Sequence, residues 1–414
     1  MSYRFQKLTT IYPEYLQRFL SDHPDSKQLS YEELYDRYVE THFGWADYYP
    51  RHLKALGNEA QEVFTSFEAL QKAWAEDHGV RYDQRNWFKQ ILFAQVRAFQ
   101  PDVLFLEDLY RFDSDFRKQL REVCAKRPLM IGYRGAPTED YGSLKDVDVL
   151  LTCAPHFVEY MRQAGANAAL LPHAFEPAIL DAVGHVTRDL DLTFVGNLVM
   201  QDGFHMQRYA LIEKLLESTS LEVWSSISQP ESGSRSKRVL LRLASRAKKT
   251  LKDAGLDSGF IKSSGSGLKA AMTGTSRTSD HSHDWKEKGY EARLHESVFG
   301  LANFRILARS RLTLNNHIDC AEDYAGNSRL YEATGMGACL ITDWKRNLTE
   351  MFEPDSEVVT YKCAEECSEK VNYLLAHESE RQAIAQAGQQ RTLSCHTFER
   401  RAAQLDELIR EAIT

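Results

Sequence analysis

Short apolar runs of strand length alternate with helix-length segments along most of this 414-residue chain, and that alternation limits the folds open to it more than any other feature. Phe5 to Ile11, Gln61 to Phe64, Val103 to Leu106, Leu129 to Tyr133 and Val147 to Thr152 read as strands. Between them, Tyr31 to Tyr38, Tyr48 to Leu56, the tryptophan-containing stretch from Leu70 to Phe99, Phe116 to Cys124 and Phe157 to Ala164 carry helical spacing, with Gly57 and Gly165 as stops. The pattern restarts with the strand Asp191 to Val195, the helix Arg208 to Leu216 and the strand Leu221 to Trp224. It resumes at Leu301 to Ala308, Leu312 to Leu314 and Cys339 to Thr342, and ends in helical spacing over Val371 to Ala387 and His396 to Ile413. Strands joined by helix-length crossovers predict parallel sheets covered by helices on both faces. The length suits two α/β domains of roughly 150–200 residues. The polar stretch from Glu176 to Asp189 marks the passage between them, dividing the chain into residues 1–175 and 185–395. From Ser225 to Lys288 the chain is rich in Ser, Gly, Lys and Arg, and 228–290 reads as a mobile insertion in the second domain.

Composition excludes several classes. Hydrophobic residues at 43% and charged residues at 27% are those of a globular enzyme. No apolar run approaches the roughly 20 residues of a membrane span, and MSYRFQKLTT has no apolar signal region, so a cytoplasmic location is expected. Seven cysteines fit reduced thiols, and the Cys363/Cys367 spacing lacks the second pair or histidine that a zinc site needs. A net charge of −8 argues against nucleic acid as a partner. No strand is followed by G-x-G-x-x-G, which argues against a dinucleotide-linked oxidoreductase. Within the insertion, residues 235–252 carry eight lysines and arginines and no acid. Arg238, Arg242, Arg246 and Lys249 lie in a stripe beside an apolar face. Such a helix either lies on an anionic membrane at its inner surface or packs on the domain with its charges in water.

Chemistry-bearing residues gather at strand ends, where open α/β sheets place their ligands. The segment NSRLYEATGMGACLITD, Asn327 to Asp343, reads as a helix start, a helix closed by Gly335 and Gly337, and a buried strand. Asn327, Ser328 and Arg329 at that start, with Glu332 about a turn and a half inside, suit a phosphate and a ribose. Gly196 and Asn197 follow the first strand of the second half, as a phosphate approach or a plain turn. Arg208 is a cation for a diphosphate or a solvated surface residue. Asn316 and His317 end another strand; His317 either touches phosphate or donor sugar or satisfies a loop carbonyl. In the first half Glu107 and Asp108 end the strand Val103 to Leu106, as a carboxylate pair for an acceptor hydroxyl or as a helix cap. The Asp146-Val147-Asp148 triplet runs into an apolar strand, so no metal site is expected, and no cofactor beyond a substrate nucleotide.

Residues 300–400 resemble the C-terminal half of the glycosyltransferases related to the spore-maturation protein CgeB, within the GT-B, family-4-like clan. The resemblance is carried by SRLTLNNHID, GNSRLYEATGMGACLITD, LTEMFEPDSEVVTY and AIAQAGQQRTLSCHTFERR. It extends upstream through DLTFVGN, LLPHAFEP, QPDVLFLEDL and FGWADYYPRHLKALG. It implies the GT-B architecture: two Rossmann-like domains facing across a cleft, with a last helix, 396–414, returning to the first. It also implies transfer of a sugar from a nucleotide-sugar to a glycan, lipid-linked or protein acceptor in surface polysaccharide synthesis, without metal and with retention favoured. The alternative is a noncatalytic nucleotide- or glycan-binding protein on the same scaffold. By the resemblance Gly300 stands where related enzymes grip the base, and Phe43-Gly44-Trp45 is the glycine loop facing the donor, with His42 as the candidate base. Glu332 matches the second of two glutamates separated by seven residues, but the first position holds Tyr324, with Glu322 and Asp323 beside it.

Overall fold

The computed structural model describes residues 2–136, 138, 140–198, 206–226, 285 and 288–413. The basic segment 235–252 lies outside the described residues, as does the expected insertion 228–290 apart from 285 and 288–290.

The first sheet contains β1 (Arg4–Thr9), β2 (Glu59–Phe64), β3 (Val103–Leu106), β4 (Leu129–Tyr133), β5 (Val149–Thr152) and β6 (Ala168–Leu170), in the order β2-β1-β3-β4-β5-β6. The second contains β7 (Leu190–Val195), β8 (Leu221–Trp224), β9 (Leu294–His295), β10 (Ser310–Asn315), β11 (Cys339–Asp343) and β12 (Val359–Tyr361), in the order β12-β11-β10-β7-β8-β9. Every pairing between these strands is parallel. Central strands such as β3 and β5 are buried at every residue, as sheets covered on both faces require.

The helices follow the expected crossovers: α1 (Pro13–Asp22), α2 (Tyr31–Val39), α3 (Tyr48–Ala55), α4 (Glu68–Asp77), α5 (Trp87–Phe99), α6 (Ser114–Glu122) and α7 (Pro155–Gln163) belong to the first sheet. After α8 (Ala178–Val183) come α9 (Met206–Ser218), α10 (Leu301–Arg309), α11 (Arg329–Gly335), α12 (Ala364–Ala376), α13 (Glu378–Cys395) and α14 (Phe398–Ile413). Local chemistry sets several starts. Ser30 and Glu33 cap α2 reciprocally, and Asp113 accepts the Phe116 N–H at the head of α6. β1 stops at Thr9 rather than Ile11, because Ile11 turns away into an aromatic cluster with Tyr15, Phe19, Tyr38 and Phe67.

Each sheet reverses its strand order once. In the first, β1 sends the chain to β2 on one side and β3 lies on the other; in the second, β7 leads to β8 and β10 lies on its other side. The crevices beyond the carboxyl ends of β1/β3 and β7/β10 are therefore the places where such sheets leave room for a ligand. A single apolar core runs from Phe5, Leu106 and Phe157 through Phe175 to Leu330, Tyr331 and Phe398, joining the two sheets. The chain passes between them at two points pinned together: Phe175 N–H donates to His396 O at 2.9 Å, and Phe398 N–H donates to Phe175 O at 3.0 Å. Beyond that point α14 lies along α3, where Asp406 accepts from the Tyr3 hydroxyl at 2.7 Å and from the Asn58 amide at 2.9 Å. Among the described residues no helix is long and apolar enough to cross a membrane.

Candidate active site

The β7/β10 crevice is braced from behind. Arg208, reaching from α9, donates to Asn197 O at 3.0 Å and to Asn316 O, with Phe194 under its guanidinium. Only 7% of the residue is exposed, and burial brings its pKa down to about 10, still a cation at neutral pH. The surface reading of Arg208 is thus overturned: it clamps the loops after β7 and β10, and its charge lies beneath Gly196 and Asn197.

His317 ends β10 with a side chain 1% exposed. Its backbone N–H (3.1 Å) and its Nδ1 (2.7 Å) both reach Asp343 Oδ1 at the end of β11, and its Nε2 is buried without a hydrogen bond. Burial alone would raise the Asp343 carboxyl; the His317 ring and Lys345 outweigh it and bring the pKa down to about 2. His317 therefore satisfies a carboxylate rather than a loop carbonyl. Asn316 donates to the Tyr361 hydroxyl at 3.2 Å.

Helix α11 starts at Arg329, where expected, but neither polar side chain before it caps it. Ser328 makes no side-chain cap bond, and Asn327 instead pairs with Asn315 at the end of β10, donating to its Oδ1 at 2.6 Å and accepting at 3.3 Å. Sequence proximity favours capping, but tertiary packing put a better-placed amide opposite Asn327. Arg329 donates to Asn303 Oδ1 and Val195 O, both at 2.9 Å, and pairs with Glu332 Oε2 at 2.8 Å. The Glu332 carboxylate keeps 21% of its side chain exposed.

Gly300 heads α10 with φ 53°, and a Cβ there would lie 2.3 Å from Thr41 O, which also accepts the Leu301 N–H at 2.8 Å. This helix start thus docks on the first domain. Phe43 stacks on Tyr15 at 3.8 Å, with Phe299 alongside, while a Cβ at Gly44 would meet open space.

On the other side, Glu107 follows β3 and accepts from Lys7 Nζ at 2.5 Å and Thr9 Oγ1 at 2.8 Å. Asp108 accepts from Thr10 Oγ1 at 2.9 Å and from the N–H groups of Tyr110 and Arg111, closing its own turn. His42 (φ 52°) places Nδ1 2.9 Å from the Tyr48 hydroxyl, and burial lowers its pKa. His173 lies between the domains, its Nε2 3.4 Å from the Tyr133 hydroxyl and its ring edge-on to Trp45. Burial pushes its pKa down to about 4, against the opposing pull of Glu332 and Glu107. Both carboxylates thus lie within electrostatic reach of this imidazole, and Glu332 also of Tyr48.

Lys7 and Glu62 were not singled out as site residues by sequence reasoning. The local sequence held little signal for that pair, because β1 and β2 also carry Arg4, Gln6, Glu59 and Gln61. Among the described residues no three His, Cys, Asp or Glu side chains are gathered as a metal would need.

A family model described as glycosyl transferase-like matches residues 259–407. No curated protein matches the sequence. Among solved structures the chain is similar to HepE of Anabaena in complex with UDP and glucose, with TM-score 0.56 and 9% identity over 99% of this chain and 100% of that one. It is similar to sucrose-phosphate synthase from Thermosynechococcus elongatus, with TM-score 0.55 and 10% identity over 99% of each chain. A glycosyltransferase from Rickettsia africae gives TM-score 0.53 and 8% identity over 100% of this chain and 99% of that one. At such identities the likeness is one of fold. The chain thus has the GT-B fold, two Rossmann-like parallel-sheet domains, and its residues 259–407 match the glycosyl transferase-like family model.

Proposed function

We propose that the protein moves a sugar from a nucleotide-sugar donor to a hydroxyl-bearing glycan, lipid-linked or protein acceptor, as a CgeB-like glycosyltransferase of surface polysaccharide synthesis. The observation that carries this reading is the placing of charged side chains at both strand-order reversals of a fold whose second half matches a glycosyl transferase-like family model: Glu332, held by Arg329 beside the β7/β10 crevice, and Glu107, held by Lys7 and Thr9 at the β1/β3 crevice. The similar HepE structure was solved with UDP and glucose, which supports a uridine diphosphate sugar as the first donor to try.

In this reading the donor lies on the second domain. Glu332 accepts from ribose hydroxyls and Arg329 fixes it, while Asn197, Asn327 and Ser328 present backbone N–H groups to the diphosphate and Gly196, whose own N–H is held by Trp224 O, keeps the approach free of a side chain. Arg208 supplies positive field from beneath, Gly300 shapes the base pocket where α10 meets Thr41, and His317 with Asn316 lines the phosphate or sugar end. With those groups offsetting charge on the leaving diphosphate, the reaction as proposed asks for no metal. The acceptor side is the first domain, with Glu107 facing the incoming hydroxyl; His42 is the alternative base and Asp108 shapes the loop. Retention of configuration and contact of residues 235–252 with an anionic membrane at its cytoplasmic face remain parts of this proposal that rest on the sequence.

Incubation with a panel of nucleotide-sugars and saccharide acceptors should release free nucleoside diphosphate, equally with and without EDTA. Tight nucleotide binding with no release would favour the noncatalytic binding protein. Loss of release in EDTA, restored by Mg²⁺, would overturn the metal-independent mechanism.

A further inference from the structure

Lys7 and Glu62 form an ion pair buried inside the first domain. Their side chains are 1% and 0% exposed, beside core residues that include Phe5, Leu8, Val63 and Leu106. Burying an ion costs several kcal/mol, and a buried ion pair is often no more stable than apolar residues of the same volume. Stability therefore gives no reason to keep this one.

The parallel register makes Lys7 and Glu62 cross-strand partners on β1 and β2, and Thr9, two residues on, projects to the same face. Lys7 Nζ lies 3.1 Å from Glu62 Oε1 and 2.5 Å from Glu107 Oε2. The Thr9 hydroxyl sits between the two carboxylates, 2.8 Å from Glu107 Oε2 and in close contact with Glu62 Oε1. Of the three charged members Glu107 alone keeps a sizeable exposed fraction, 29%, and it opens on the β1/β3 crevice. We infer that Lys7, Thr9 and Glu62 are positioning residues that hold Glu107 as the hydrogen-bond acceptor for the hydroxyl of the acceptor substrate, an inference that rests on the transfer reaction proposed above.

One lysine cannot neutralise two carboxylates, so the set needs a proton. Burial first, and Glu107 second, push Glu62 up to about 8 against the pull of Lys7. At neutral pH Glu62 is then the protonated member: its hydroxyl donates to Thr9, Thr9 donates to Glu107, and Lys7 pairs with an ionised Glu107. Once Glu62 ionises, Thr9 and Lys7 are drawn to it and Glu107 loses its orientation. Lys7, Thr9, Glu107 and the α2 phenols Tyr31, Tyr35 and Tyr38 are the groups that face Glu62; the phenols' own pKa values are all raised, so they stay neutral through this range.

The test is Glu62→Gln, which keeps shape and N–H donation to Thr9 but cannot ionise. The acceptor-dependent kcat/KM of the wild type should fall with a midpoint near 8, and Glu62→Gln should lack that limb, while the donor KM of both stays flat. Superimposable profiles would overturn the inference. If the wild type releases no nucleoside diphosphate with any donor, the transfer reading itself fails. A second measurement then decides the protonation: between pH 5 and 8 the unfolding constant of wild type relative to Glu62→Gln should rise about ten-fold per pH unit, because the folded state alone holds the proton. A ratio independent of pH would overturn the placement of that proton and the positioning role with it. Lys7→Met serves as a second variant; it should raise acceptor KM more than donor KM, and equal effects on both would count against the inference.

Discussion

Glu332 carries its carboxylate 2.8 Å from Arg329 while 21% of the side chain stays exposed, so it is fixed in direction without being closed off. If it holds a ribose hydroxyl, Glu332→Ala removes a charged hydrogen bond and should weaken nucleotide binding by about 1.5–3 kcal/mol, on the order of 10- to 150-fold in Kd. The fold should survive, because Arg329 keeps Asn303 and Val195. Calorimetric titration with UDP checks this, and unchanged affinity in a folded variant would remove Glu332 from the donor site. Arg208 behaves differently. Its guanidinium is spent on the carbonyls of Asn197 and Asn316, so its loss should loosen two loops at once.

At the scale of the element, α11 is only seven residues long and is placed by what it packs on rather than by its caps. Its last residue, Gly335, lies against Phe175, the residue at which the chain leaves the first domain; a Cβ at 335 would approach that ring to 2.4 Å. Gly335→Ala should therefore destabilise by about 1–3 kcal/mol through overpacking, although alanine is by itself the better helix former. Urea unfolding reads the sign directly, and a stabilised variant would show that α11 and Phe175 separate easily. Because α11 also carries Arg329 and Glu332, the same variant should weaken nucleotide binding without touching either side chain.

Across the whole molecule, both passages between domains meet at Phe175 and His396. His396 donates from Nε2 to Met351 O at 2.9 Å and accepts at Nδ1 from Arg401 at 3.1 Å, an arrangement open only to the neutral ring. Burial accordingly pushes its pKa down to about 4, and that of His173 likewise. The unfolded chain binds these protons from about 6.5 downward, while the folded chain refuses them until about 4, so stability rises with pH across that window and is lost as pH falls through it. His396→Gln can copy both hydrogen bonds without titrating. Between pH 7 and 5 it should lose less stability than wild type, by roughly 1–2 kcal/mol in denaturant midpoints converted to free energy. Equal losses would mean that His396 is already free to take a proton in the folded protein.

The alternation of strands and helices, the α/β class and the helix–glycine–strand unit at Asn327–Asp343 were all legible in the sequence, because periodicity, capping residues and glycine stops act between neighbours along the chain. Short elements such as β6, β9 and α8 escaped, since two to six residues hold too few turns of any period to register. Polar side chains were the ones whose partners tertiary structure decided. Asn327 lies next to a helix start yet pairs with Asn315; Arg208 is one helix from its loops yet ends beneath two of them; Lys7 meets Glu62 only because β1 and β2 align in parallel register across 55 residues of chain. A buried charge takes whatever partner the packed sheets present, and that depends on register and crossover, which no local pattern encodes.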